Sequence, residues 1–157
     1  MKKLLFPLIA ILFLATSCIE DEPDIIQNIY SGSYVYVEYP TVRSNDWMAR
    51  IENLSSTTHR TLYYYYEYDN QYIDAKMIEN SFVLVYSLQE DKDIALPVTF
   101  TYTDGTGAGH TGLIRYEVSD GKVFIIIESL DGTYDALSTG LDAENDLVFK
   151  VCMMVND

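Results

Sequence analysis

The sequence predicts an all-β chain: an antiparallel β-sandwich of about eight strands with one short helix or helical turn. Three observations predict it. Short runs of β-branched and aromatic residues recur from Tyr34 to Val155, separated mostly by turns of a few residues. Asp120-Gly121 joins two of these runs, and a two-residue Asp-Gly loop is a strong hairpin signal because both positions take positive φ. Only Asn70–Glu79 places apolar residues (Tyr72, Ile73, Met77, Ile78) near helical spacing.

The elements follow in order. Tyr34–Tyr39, YVYVEY, is all β-formers and is ended by Pro40. Met48–Glu52 is a short strand. Leu62–Tyr68 lies in TLYYYYEYDNQY, residues 61–72, which holds six of the chain's 14 tyrosines. The turn or helix at 70–79 then crosses from one sheet to the other. Ser81–Leu88, SFVLVYSL, is apolar on both faces. Pro97–Thr103 alternates, with Val98, Phe100 and Tyr102 on one side and threonines on the other. Gly112–Ser119 has one wet face, carrying Arg115 and Glu117. Val123–Ser129 and Leu147–Val155 are apolar on both faces, so both belong in the middle of a sheet or under a loop. Residues 130–146 between them read as one long acidic loop.

The N-terminus carries an address. Lys2 and Lys3 precede an apolar run from Leu4 to Leu14. Eleven residues at ~1.5 Å cover about 16 Å, roughly half a bilayer core, so residues 1–17 read as a secretion signal and not a span. Ala15-Thr16-Ser17-Cys18 resembles the lipobox of bacterial lipoproteins, in which the cysteine is lipidated and becomes the first residue. The resemblance implies a membrane anchor at Cys18. Two or more acyl chains, at about 0.8 kcal/mol per buried CH₂, hold stably. Residues 18–30 read as lipidated cysteine and tether, with four carboxylates between Glu20 and Asp24. That acidic tract cannot grip anionic lipid. It is similar to the signals that send lipoproteins of some Gram-negative gut bacteria to the outer face of the outer membrane. The expected location is the outer membrane, at the cell surface. Residues 31–157 make one sandwich domain.

Charge narrows the partners. The chain has 24 acidic and 10 basic residues, a formal charge of −14. Removing the signal takes two lysines and no acid, which deepens it. Nucleic acid and anionic headgroups are disfavoured as partners. With Cys18 lipidated, Cys152 is left alone, so no internal disulfide forms. Cys152 itself reads as a buried, inert thiol.

Several segments resemble a known group. Val42-Arg43-Ser44-Asn45-Asp46-Trp47 is followed by the tyrosine strand, a short helix at Tyr72–Asn80, Val83-Leu84-Val85-Tyr86, Leu96-Pro97 and finally Phe149-Lys150-Val151. Over residues 34–155 the chain resembles small surface lipoproteins of gut bacteria. The resemblance implies a β-sandwich akin to PLAT-type, calcium-binding lipoprotein domains. It implies no catalytic residues.

Candidate sites were weighed on chemistry. Calcium takes six to eight oxygens. Asp131, Asp135, Asp142, Glu144 and Asp146 lie in the 130–146 segment, and Asn45 and Asp46 approach from another loop. The spacing of Asp142, Glu144 and Asp146 begins like a calcium loop. It then fails, because Leu147 stands at the glycine position and no bidentate glutamate follows. The glycine-rich loop Asp104–His110 lacks a following helix and a lysine, so it is no phosphate cradle. It reads as a flexible connection or a lid over a sheet end. The histidines are His59 and His110, and nothing near them resembles a nucleophile elbow; His59, in the polar turn SSTTHRT, reads as a solvent-facing loop residue. In the tyrosine strand, Leu62, Tyr64, Tyr66 and Tyr68 form the inward row. Tyr63 and Tyr65 form the wetter one. Tyr63, Tyr65 and Trp47 are the candidate ligand-stacking residues, though a single tryptophan also fits the core. The functional expectation is a non-enzymatic, lipid-anchored module presenting a binding face to a glycan, peptide or protein partner. No cofactor is required. A calcium-binding accessory domain and a structural envelope protein are the alternatives.

Overall fold

A computed structural model describes residues 24–27, 33–55, 58–80, 82–89, 92–143 and 146–156. The signal segment, Cys18 and Glu144 lie outside the described residues. Two antiparallel sheets face each other. One has the order β1 (Asp24–Gln27), β2 (Ser33–Glu38), β11 (Leu147–Asn156), β6 (Phe82–Gln89), β7 (Lys92–Ala95), with the two-residue β3 (Thr41–Val42) also pairing β11. The other has the order β4 (Met48–Asn53), β5 (His59–Asp69), β10 (Lys122–Ser129), β9 (Gly109–Ser119), β8 (Val98–Thr103). The expected sandwich class is therefore observed.

The two runs that are apolar on both faces take central places, β10 in the five-stranded sheet and β11 in the six-stranded one. Burial of both faces is what a continuous apolar strand requires. Val123, Ile125 and Ile127 of β10 and Phe149, Val151 and Met153 of β11 are at most 1% exposed, and they meet in one core. Ile126, on the outward row of β10, is 2% exposed, but it stands outside that core cluster. Its cover comes from its own sheet face, where Tyr65 and Arg115 flank it in register.

Three strands had no sequence signal. β1 falls inside the stretch expected to be tether, and it pairs antiparallel with β2 from Asp24↔Val37 to Gln27↔Tyr34. The open edge of β2 supplies the backbone partners that a short Ile-Ile segment lacks alone. β3 and β7 are two and four residues long, too short to show a period.

The short helix is where it was expected. α1 (Ala75–Asn80) connects β5 of one sheet to β6 of the other. Asp74 Oδ1 accepts the Met77 amide at 2.6 Å and caps its first turn. Ile73 and Met77, 1% and 5% exposed, drop into the core. The β9–β10 hairpin is also as expected, with Gly121 at φ 74°.

A second helix corrects the sequence reading. The stretch taken as one long acidic loop contains α2, Tyr134–Ala143, ten residues long. Leu137 and Leu141, spaced i and i+4, are 1% and 8% exposed and plug the core beside β8, β10 and the 3₁₀ turn Ser44–Asp46. Tyr134, Leu137 and Leu141 carry the helical period, amid Asp, Gly, Ser and Thr, so the loop-like composition hid it.

Candidate functional site

The outer face of the five-stranded sheet is built by alternation. Ile125↔Tyr66 and Ile127↔Tyr64 point inward, so Ile126↔Tyr65 points outward with Met48 of β4 beside it. Tyr64, Tyr66 and Tyr68 pack on the core. Tyr63 and Tyr65 are half-buried on the opposite side, their ring centroids 6.1 Å apart at an interplanar angle of 70°. Tyr65 also meets Phe124 at 6.4 Å. Met48, 41% exposed, widens the apolar strip. Ion pairs border it. Arg115 bonds Glu128 at 2.7 Å and also pairs with Glu117, while Lys122 bonds Glu67 at 2.8 Å. Arg115 and Lys122 are spent on their neighbours, and the aromatic edges are left to face outward.

One member of the expected inward row does not join it. Leu62 is absent from the residues packed on the core among those described. The β4–β5 register shifts between Arg50 and Ile51, pairing them with Tyr63 and Thr61 and leaving Leu62 over. A bulge breaks the two-residue period at that point.

Trp47 packs half-buried against the core. It precedes Met48, whose partner is Tyr65, so its strand neighbour and not the indole lies on the tyrosine face. The structure does not bring Trp47 together with Tyr63 and Tyr65.

The acidic segment is reshaped by α2. Asp131 precedes the helix, Asp135 lies in its first turn, Asp142 lies near its end and Asp146 follows it as an exposed residue. Asp135 there suits the positive end of the helix dipole. Among the described residues, no group of three or more His, Cys, Asp or Glu side chains is placed to hold a metal. Asp131 has internal partners instead. Its Oδ1 accepts from Ser129 Oγ at 2.8 Å and from the Thr133 hydroxyl at 2.5 Å, and its Oδ2 lies 2.8 Å from His110 Nδ1.

His110 ends the segment that the sequence suggested as a flexible connection. Its side chain is 13% exposed, not solvent-facing. Nδ1 meets Asp131 at 2.8 Å and Nε2 meets Asp104 Oδ2 at 3.3 Å. Ionised carboxylates only accept hydrogen bonds, so an imidazole serving both must carry a proton on each nitrogen. The His110 pKa is raised accordingly, by the Asp131 bond first and the Asp104 bond next. Asp104 Oδ1 collects the Thr106 amide at 2.8 Å, the Thr106 hydroxyl at 2.7 Å and the Ala108 amide at 3.0 Å. The Thr106 and Ala108 bonds and then His110 hold the Asp104 carboxyl far below its ordinary range. Thr133, His110 and Ser129 do the same for Asp131. The glycine-rich segment is therefore pinned at both ends, where the sequence suggested a flexible connection. Gly107 supplies the positive φ, 86°, that the tight loop needs. Tyr102 closes the network, 3.0 Å from Ser129 Oγ and 2.9 Å from Thr133 Oγ1.

Beside this network lies a groove of about 760 Å³, between the start of β5, the loop 104–110 and the turn entering α2. A smaller hollow of about 470 Å³ opens at the opposite end of β10, around Glu38, Asn70, Tyr72 and Gly121. There Glu38 Oε2 accepts from Tyr68 and Asn70, and Tyr36 stacks on Tyr72 at 4.9 Å. Burial and the Glu38 bond push the Tyr68 hydroxyl pKa upward, so it stays a donor. That end reads as a structural lock between the sheets.

On the six-stranded sheet, Cys152 is half-buried on the outward row opposite Val37 and Leu84, and burial raises its pKa. An apolar, protonated thiol of this kind is unreactive.

The fold defines the class as a two-sheet antiparallel β-sandwich. No family model, curated protein or solved structure matches the chain.

Proposed function

We propose that this protein is a non-enzymatic, lipid-anchored binding module of the outer membrane, facing the cell exterior and presenting the outer face of its five-stranded sheet to a glycan, peptide or protein partner. Tyr63 and Tyr65 carry the reading. They are the two adjacent tyrosines of the strand turned away from the core, and they stay partly accessible at 6.1 Å from each other. Tyrosine suits such a role because a broad apolar ring and a polar tip bind with little loss of side-chain freedom. The anchor is Cys18, supported by the lipobox-like Ala15-Thr16-Ser17-Cys18 and by the likeness to gut-bacterial surface lipoproteins.

The full-length chain, purified from membranes in detergent, is to be applied to arrays of glycans and of peptides. Retention by at least one class is expected, with a loss of about tenfold or more in Tyr63→Ala/Tyr65→Ala, equal to about 1.4 kcal/mol. Retention unchanged in the double variant would remove the tyrosine face from the account.

A further inference from the structure

The groove beside His110 has a chemistry of its own. Every residue lining it is glycine or carries a polar group, and no aliphatic side chain takes part. An apolar ligand would strip water from this polar lining and find no aliphatic surface in return. Lipids and hydrophobic peptides are excluded on that ground.

Charge excludes two further classes. The lining includes Asp104, Asp135, Arg60 and His110. The imidazole of His110 sits between the carboxylates of Asp104 and Asp131, so the groove carries both signs side by side, with no run of either. A polyanion would meet Asp104 and Asp135 inside a protein that is acidic throughout. A polycation would meet Arg60 and the imidazolium. What suits the site is an uncharged molecule with many hydroxyls. Such a molecule can donate to carboxylate oxygens and to the Thr106 and Thr133 hydroxyl oxygens, whose own protons go to Asp104 and Asp131, accept from the Arg60 guanidinium, and do either at Thr61.

The groove is also preorganised. One wall is the loop pinned by Asp104, and Thr133 on the other side is tied to Ser129 and Asp131. A ligand therefore binds without ordering those loops, which removes a usual cost of association. The volume of about 760 Å³ is within the range of small-molecule sites, roughly 300–1,000 Å³. Thr61 in the groove and Tyr63 on the sheet face are two residues apart along β5, about 7 Å of strand.

From these observations we infer that the groove between His59–Thr61, Asp104–His110 and Gly132–Asp135 is a binding site for a neutral oligosaccharide. The inference rests on the reading of the protein as a binding module, and it adds both a second contact surface and a ligand class.

Gly105 offers a way to close the groove without disturbing the fold. It lines the groove, its φ is not in the left-handed region, and a Cβ built there meets nothing within 4 Å. Gly105→Leu therefore adds bulk at a lining position without a clash. The test applies the full-length, detergent-purified chain to one array carrying neutral oligosaccharides of two to eight sugars, uronate and sulfate glycans, and basic peptides. Neutral oligosaccharides are expected to bind, with affinity falling about tenfold or more in Gly105→Leu and in Arg60→Ala while circular dichroism and melting temperature stay unchanged.

The failures separate. If neutral glycans bind and only Tyr63→Ala/Tyr65→Ala weakens them, the groove is not a site and the tyrosine face stands. If only the groove variants weaken binding, the groove stands and the tyrosine face falls. Binding solely of acidic glycans or basic peptides overturns the ligand class. No binding to any spot overturns both.

Discussion

A single imidazole bridges two carboxylates at the loop end. His110 can satisfy Asp104 and Asp131 together only as imidazolium. Its raised pKa means that the stabilisation is complete below the ordinary value of 6.5 and is lost as pH rises through the raised one. The lowered carboxyls act in the opposite sense. Theirs is present above the usual carboxylate pKa, about 3.9, and is lost only in stronger acid. The clamp is thus closed across mildly acidic pH and weakens on the alkaline side. Between about pH 6 and about pH 9 the wild type should lose melting temperature relative to His110→Asn, with the step at the imidazole titration seen by NMR. A difference curve flat over that range would mean that the imidazolium does not hold the loop. Gly112 makes a second prediction at this scale. It faces Phe100 in register, and an added Cβ would overlap the ring and approach the Glu128 carbonyl at 3.2 Å. Gly112→Ala should cost about 1–3 kcal/mol in denaturant unfolding, since overpacking must move ring or backbone. A neutral result would show that the ring moves aside freely. Neither residue was legible in the sequence. His110 looks like any loop histidine until the turn at 130–133 folds back on it, and that contact spans 21 residues.

Among the elements, those with a strict period or a turn dipeptide were readable, and those built by long-range pairing were not. The alternation in β8, the Asp-Gly hairpin and the doubly apolar β10 and β11 all take the places their patterns imply. The split of the tyrosine strand into an inner and an outer row also follows from the two-residue period. It holds for Tyr63 to Tyr68 and stops at Leu62, where the bulge intervenes, because a register shift depends on the partner strand. α2 was lost for a different reason. Its helical signal is one tyrosine and two leucines, Tyr134, Leu137 and Leu141, and packing rather than propensity holds it in place. Leu137→Ala should therefore cost about 2–5 kcal/mol, measured by urea unfolding, because Leu137 is 1% exposed in the core. A loss below about 1 kcal/mol would mean that α2 is dispensable to the sandwich.

At the scale of the whole molecule, charge bears on the proposed anchor. A formal charge of −14 repels anionic surfaces, so the membrane residence proposed above would rest on a covalent anchor. Cys18→Ala should move the protein from the membrane to the soluble fraction and abolish palmitate labelling. Continued membrane residence would contradict a lipid anchor at that residue. Tyr64, Tyr66 and Tyr68 of one strand pack on the core, and in the proposed function Tyr63 and Tyr65 of its other face meet the ligand. The most direct test of that central claim is a ¹³C-tyrosine NMR titration of the full-length chain with a ligand that the wild type retains on the arrays. The account predicts that the Tyr63 and Tyr65 ring signals shift to saturation while those of Tyr64, Tyr66 and Tyr68 stay in place. Shifts confined to the inner row, or unmoved Tyr63 and Tyr65 rings at saturation, would contradict it.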